Sequence, residues 1–310
     1  MIKKTLSIFL ALFLMVAGFS LSVSAQEELD IALSVPSLSL TFFVNMEQAV
    51  EEVSEDLNVN ITTFDARDDM SKQVSDVEDI IVREFDGVLI SPIESKGMAP
   101  AVQSLKDSGI PVITIDRGVE DVNTLSHVGA DNVEGGRIAG KYIAEKLNGE
   151  GNVLELTGSP GATPTIDRGE GFNEIMDEYS DIEVLDRQTG RFSRSEGMSV
   201  MEDLLAAHSD VDAVFSHNDD MAVGALEAIE SDGRLDDMIV VGFDAIEDGL
   251  AAIEEGRLDA TIEQFPGGQS ERALELMVNY IRNGEEPPQE EYIEPSLITN
   301  DNLEDAELRN

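Results

Sequence analysis

Four apolar segments of this 310-residue chain end abruptly in side chains suited to holding hydroxyl groups. Ile110-Pro111-Val112-Ile113-Thr114-Ile115 runs into Asp116-Arg117, and Val214-Phe215-Ser216-His217 runs into Asn218-Asp219. Val240-Val241-Gly242 runs into Phe243-Asp244, and Ala260-Thr261-Ile262-Glu263 into Gln264. A β-branched apolar run reads as a strand covered on both faces, as in a parallel sheet between helices. Ligands of open α/β sheets sit beyond the carboxyl ends of such strands. A carboxylate accepts from neighbouring hydroxyls, a guanidinium fork donates, and a side-chain amide does both. Four such ends together point to a small polyhydroxylated ligand held between two units. Singly, each has a plainer reading: Asp116 caps the following turn and Arg117 pairs with a surface acid.

The aromatic residues fit the same chemistry. Phe42-Phe43 stands where the first helix should start, Phe192 follows the Glu183–Asp186 strand, and Phe243 adjoins Asp244. An aromatic face covers the C–H face of a sugar ring well. For Phe43 an ordinary core position is equally open, because it repeats at helical spacing with Met46, Val50, Val53 and Leu57. Signals for catalysis are poor. His127, His208 and His217 lack metal-ligand spacing and there is no cysteine, so neither a metal nor a cofactor is expected. Gly158-Ser159-Pro160-Gly161-Ala162 lies between a strand and a helix but lacks the Gly-Lys-Ser/Thr ending of a phosphate loop, so it reads as a turn. No nucleophile is arranged with a base.

The elements that must position these residues alternate. Strands at Leu29–Val35, Val59–Phe64, Gly87–Ile90 and from Ile110 are separated by helices at Phe42–Leu57, Met70–Arg83 and Met98–Ser108. A second cycle starts at Thr124–Val128, with Asp131-Asn132 capping a helix to Leu147, and continues through strands up to Leu258–Ile262 and a last helix at Gly268–Ile281. This is the doubly wound α/β pattern, used twice. The length also favours two domains.

Lys3, Lys4, the apolar Leu6–Phe19 and Val23-Ser24-Ala25 compose a secretion leader cleaved before Gln26. With no cysteine at the cleavage point there is no lipid anchor, and free periplasm is the expected location. Sixty-four acidic residues against 20 Lys and Arg give a formal charge of −44. Such a surface repels nucleic acid and anionic lipid. Because the acids are spread through the helices, with 42% of residues hydrophobic, the charge reads as adaptation to high salt and not as disorder.

Several stretches resemble the D-ribose-binding protein family of periplasmic substrate-binding proteins of sugar ABC transporters. They are Thr-Ile-Asp-Arg at 114–117, Ala-Asp-Asn-Val-Glu-Gly-Gly at 130–136, Arg-Gly-Glu-Gly-Phe at 168–172, Asn-Asp-Asp-Met-Ala-Val-Gly-Ala-Leu at 218–226 and Val-Gly-Phe-Asp at 241–244. The resemblance runs through the chain after residue 25. It implies two similar doubly wound parallel-sheet α/β domains, 26–130 plus 265–293 and 131–264 plus 294–310. Three hinge crossovers, near Ala130-Asp131, Gln264-Phe265 and Glu294-Pro295, would join them. It implies a sugar held by Phe42, Phe43, Asp116, Arg117, Phe192, Asn218, Phe243, Asp244 and Gln264, and delivered by a monomeric protein to a membrane permease. Three positions depart from the family: a loop Asn falls at Leu40, a Ser at Pro36 and an Arg at Ile166. Two polar ligand contacts are thereby expected to become aliphatic, so the ligand should be less polar there than ribose: a deoxy sugar, a differently configured pentose or hexose, or a polyol. A periplasmic sensor serving a chemoreceptor or histidine kinase would read alike. A sugar-responsive repressor would need a DNA-binding segment where the leader stands.

Overall fold

The computed structural model describes residues 27–309. The expected leader lies outside them. A first parallel sheet contains β1 (Leu29–Val35), β2 (Val59–Asp65), β3 (Gly87–Ile90), β4 (Val112–Ile115) and β5 (Ser126–Ala130). Their spatial order is β2-β1-β3-β4-β5. The connecting helices are α1 (Thr41–Asp56), α2 (Met70–Val82) and α3 (Ala99–Asp107). α2 and α3 pack together over a core of Val77, Ile80, Val88, Ile90 and Val112.

The second unit repeats the plan. α4 (Asn132–Lys146) leads into β6 (Glu150–Thr157), α5 (Thr163–Met176), β7 (Asp181–Thr189) and α6 (Arg194–Ala207). β8 (Ala213–Ser216), α7 (Asp219–Asp232), β9 (Ile239–Val241), α8 (Glu247–Glu254) and β10 (Thr261–Glu263) follow. The parallel order is β7-β6-β8-β9, and Val241 of β9 bridges to Ala260 beside β10. Counted within each unit, both sheets therefore have the order 2-1-3-4-5, which places ligands at the switch point beyond the strand ends.

The chain then returns. α9 (Pro266–Asn283) packs on α1, β11 (Glu290–Ile293) pairs with β5, and β12 (Ser296–Ile298) pairs antiparallel with β10. Three crossings thus link the sheets, at Asp131, at Gln264-Phe265 and at Glu294-Pro295. β11 and β12 were not anticipated from sequence. Following Pro287-Pro288, Glu290-Glu291-Tyr292 shows no apolar alternation, because β11 is an edge strand that owes its place to the partner strand β5. β4 starts at Val112, two residues later than its apolar run suggests, since Pro111 has no N–H to give a ladder.

Local signals explain the helix ends. Asp69 accepts from the Ser71 and Lys72 N–H groups, and Asp131 accepts from Glu134 N. α7 and α9 stop at Gly233 and Gly284, both left-handed. The contact between α4 and α5 is unusually close. A Cβ on Gly171 of α5 would stand 1.8 Å from the Val133 carbonyl of α4, and one on Gly136 would stand 2.2 Å from the Arg168 carbonyl. Only glycines allow α5 to lie this near, with Arg168 pressed inward beside α4. Gly171→Ala is expected to push the helices apart and cost about 1–3 kcal/mol, the usual range for overpacking, measured as a lower urea midpoint against the parent protein.

Candidate functional site

The carboxyl ends of both sheets face one narrow cavity of about 20 Å3. That is room for about one water, far below the roughly 300–1,000 Å3 of small-molecule sites, so the two walls stand nearly closed on one another. The first unit contributes Leu40, Phe42, Phe43, Asp116 and Arg117, and the second contributes Pro164, Arg168, Phe192, Asn218 and Asp244, with Gln264 from a crossing. Four left-handed residues shape the walls: Asp116 (φ 57), Phe192 (φ 63), Asp244 (φ 108) and Phe265 (φ 55). Non-glycine residues in such conformations are sparse and gather where a side chain must be aimed.

Asp116 does not cap a turn. Its Oδ2 accepts from Ser91 Oγ (3.2 Å) and lies 3.6 Å from Arg117 Nε. The Arg117 guanidinium is itself buried and makes its ion pair with Asp116; its Cζ lies 5.3 Å from the Phe43 ring centre and 5.2 Å from that of Phe192. Those two rings come from opposite units and sandwich one cation between them. Phe43 is both core and wall, packing edge-on with Phe42 at 5.1 Å.

Asn218 has divided duties. Its Oδ1 accepts from Met221 N (3.0 Å) as the cap of α7, and its Nδ2 donates to the Phe192 carbonyl (3.2 Å), leaving one N–H for the cavity. Asp219 faces away from the cavity: its carboxyl group takes Thr261 Oγ1 and Ile246 N, tying β10 and the start of α8 to α7. Gln264 Nε2 donates to Asp244 Oδ1 at 2.6 Å.

Arg168 is the residue sequence reasoning placed outside the site. It is buried at 2% exposure and lines the cavity. It donates to Asp244 Oδ1 (3.3 Å), to Asn132 Oδ1 (2.8 Å) and to the His217 carbonyl. Its guanidinium lies 3.6 Å over the ring of Phe243, which is not on the cavity wall but one layer behind, as the platform for the arginine. A signal for Arg168 was present. The residues three and four positions away are Pro164, Thr165, Gly171 and Phe172, none of them acidic, in a chain where acids outnumber bases about threefold. Arg168 therefore has no acid at the spacing that pairs along a helix.

The other departures also move. Ile166 is half exposed, at 51%, and does not line the cavity, whereas Arg168 does. Pro36 is buried off the cavity, where its carbonyl accepts from Asp68 N (2.8 Å) and steadies the loop into α1. Leu40 alone of the three is a wall residue, buried to 9% exposure.

Two carboxyl groups and two guanidiniums thus enclose the space. Burial pushes Asp116 upward against the opposing pull of Arg117 and Arg168. Burial likewise pushes Asp244 up to about 8, with Arg168 opposing and Asp116 adding to the rise. Burial lowers both arginines, and their acid partners oppose that shift. Two buried polar atoms of the wall, Arg117 Nε and Gln264 Oε1, have no hydrogen-bond partner.

Residues 31–286 match the periplasmic binding protein domain family. The chain is 44% identical over 241 residues to the ribose import binding protein of Bacillus subtilis, covering 78% of each chain. It superimposes on a solute-binding protein of an ABC transporter from Bacillus halodurans, solved with bound myo-inositol, with a TM-score of 0.86 at 32% identity, covering 93% of this chain and all of that one. With the Caulobacter myo-inositol binding protein the TM-score is 0.88 at 33% identity, covering 91% and 97%. The chain belongs to the periplasmic binding protein family, in its ribose-binding-like, sugar-binding branch. It is a solute-binding protein and not an enzyme.

Asp244 sets a pH dependence. Between the ordinary aspartate value of 3.8 and about 8, the folded protein holds a proton that the unfolded chain releases. Folded stability from this group therefore declines as pH rises through that window, by at most about 1.4 kcal/mol per pH unit. The difference in unfolding free energy between the parent and Asp244→Asn, followed by urea titration without ligand from about pH 5 to about pH 8, is expected to shift steadily in favour of the variant.

Proposed function

We propose that this protein captures one neutral monosaccharide or polyol between its two units by closing about the three crossings, and hands it to the membrane permease of an ABC transporter. The domains of this reading are 26–130 plus 265–293 and 131–264 plus 294–310. Phe42, Phe43, Asp116, Arg117, Arg168, Phe192, Asn218, Asp244 and Gln264 hold the ligand, with Phe243 behind Arg168. The observation that carries the reading is the pairing of an unpartnered donor, Arg117 Nε, with an unpartnered acceptor, Gln264 Oε1, in one aromatic-walled cavity. Each such orphan costs about 1–3 kcal/mol, and a hydroxyl is the one common group that donates and accepts at once. Each guanidinium already has a carboxyl group beside it, Arg117 with Asp116 and Arg168 with Asp244, which favours an uncharged ligand over a sugar acid, a phosphate or an amine. The names of the relatives support the class, since they bind ribose or myo-inositol. The solute-binding titles among the solved relatives favour transport over sensing.

Leu40 tunes the ligand within that class. A hydroxyl facing Leu40 is left without a partner, so a ligand presenting C–H there is preferred: a deoxy sugar, another pentose or hexose configuration, or a polyol. With Arg168 in place only one polar contact is lost, about 1–3 kcal/mol, or roughly one to two decades in affinity. Thermal-shift screening of D-ribose, 2-deoxy-D-ribose, 6-deoxyhexoses, xylitol and myo-inositol tests this, because binding raises the melting point by mass action. At least one is expected to raise it, with Leu40→Asn improving D-ribose binding about tenfold. Tight D-ribose binding by the parent that Leu40→Asn weakens would overturn the role of Leu40, and no shift from any of them would overturn the ligand class.

The reading includes export by the leader over residues 1–25, a free monomer in the periplasm, no nucleic-acid partner, and a surface adapted to high salt. Raising salt from about 0.1 M to about 1 M shortens the screening length from about 10 Å to about 3 Å. The melting temperature is expected to climb steeply over that range; equal values at both ends would remove the high-salt reading.

A further inference from the structure

Closure requires the cavity to act on the segments that join the two sheets, and two side chains behind its wall are placed to transmit that action. On one side, Arg168 Nε donates to Asn132 Oδ1 at 2.8 Å. Asn132 is buried and is the first residue of α4, immediately past the first crossing. Its Nδ2 donates back to the Ala130 carbonyl (3.3 Å), the last residue of β5 in the first sheet. On the other side, Gln264 donates to the same Asp244 oxygen that Arg168 touches. The Gln264 carbonyl accepts from Gln269 Nε2 at 2.7 Å. Gln269 is fully buried in α9, the helix packed against α1 of the first unit. Between them Phe265 turns through φ 55, ψ 64, a conformation few side chains adopt.

A continuous hydrogen-bonded chain therefore runs from the first crossing, through the cavity wall, to the second: Ala130, Asn132, Arg168, Asp244, Gln264, Gln269. Neither Asn132 nor Gln269 lines the cavity. We propose that Asn132 and Gln269 are positioning residues that couple the ligand-facing groups Arg168, Asp244 and Gln264 to the first two crossings, so that the state of the cavity sets the angle between the units. The proposal rests on the closing motion of the proposed function. Its physical basis is that neither end can move independently. If the first crossing turns, Asn132, held by Arg168, must carry the Ala130 carbonyl with it or leave that buried pair unmade. If the second crossing turns, the Gln264 carbonyl must keep or lose Gln269. Simple cohesion between helices would affect stability alone; coupling affects the distance between the units.

The chain has no cysteine, so one label can be placed on each unit without background. Gln103→Cys on α3 and Glu202→Cys on α6 are both exposed. Pulsed electron–electron resonance on the labelled full chain then reads the distance distribution between units, first without sugar and then with D-ribose or myo-inositol. Asn132→Leu and Gln269→Met are expected to shift or broaden the sugar-free distribution. Asn132→Asp, which keeps the acceptor for Arg168 but loses the donor to the Ala130 carbonyl, is expected to displace it less than Asn132→Leu does. Whichever probe binds the parent should bind the Leu and Met variants at least about tenfold more weakly. If Asn132→Leu does not fold, Gln269→Met decides alone. Parent-like sugar-free distributions in the folded variants overturn the coupling, as does an Asn132→Asp protein that is displaced as far as Asn132→Leu. Because the first measurement contains no ligand, failure of both probes to bind counts against the ligand reading and not against this one.

Discussion

Four ionisable groups taken out of water, Asp116, Arg117, Arg168 and Asp244, are the constraint on which the arrangement depends. Desolvating an ion costs several kcal/mol, and attraction between buried ions offsets that cost only with good geometry and further hydrogen bonds. The surrounding structure meets those conditions in detail. Ser91 donates to Asp116, Gln264 to Asp244, and Arg168 finds Asn132 and the His217 carbonyl as well as its acid. Phe43 and Phe192 flank one guanidinium while Phe243 lies under the other. The backbone adapts to the same end. Asp116 and Asp244 adopt left-handed conformations at their strand ends, and Gly136 and Gly171 give up side chains so that α5 can bring Arg168 inward.

This constraint also explains which parts of the site could be read in the chain. A strand that ends in a buried acid keeps its apolar run up to the last residue, so Asp116, Asn218, Asp244 and Gln264 stood out by contrast with what precedes them. The repeated α/β order was visible for the same reason, as runs of apolar residues alternating with helical spacing. Arg168 did not stand out, because a helix shows its inward face only through periodicity, and an arginine on that face looks like a solvated residue. Ile166, two positions earlier on the same helix, points outward by the 3.6-residue repeat and lies off the cavity wall. β11 and β12 carry no apolar signature because their order comes from β5 and β10. Tertiary pairing of that kind leaves little trace in local sequence.

Burial also separates this protein's two electrostatic regimes. Outside, acids greatly outnumber bases, and mobile ions can reach every one of them, so the field there is set by the solvent's salt. Inside, two carboxyl groups face two guanidiniums in a buried cavity, and their energies are set by neighbouring groups a few ångströms away. Recognition is thereby insulated from the medium. A ligand held by net charge would bind to such a cavity differently at each salt concentration. A neutral ligand that replaces missing hydrogen bonds at Arg117 and Gln264 would not. The surplus of acid on the surface and its absence from the cleft are therefore two parts of one solution: a chain can carry a strongly charged exterior and still offer an uncharged solute a suitable cleft, because two of its cations, Arg117 and Arg168, are placed where water is excluded.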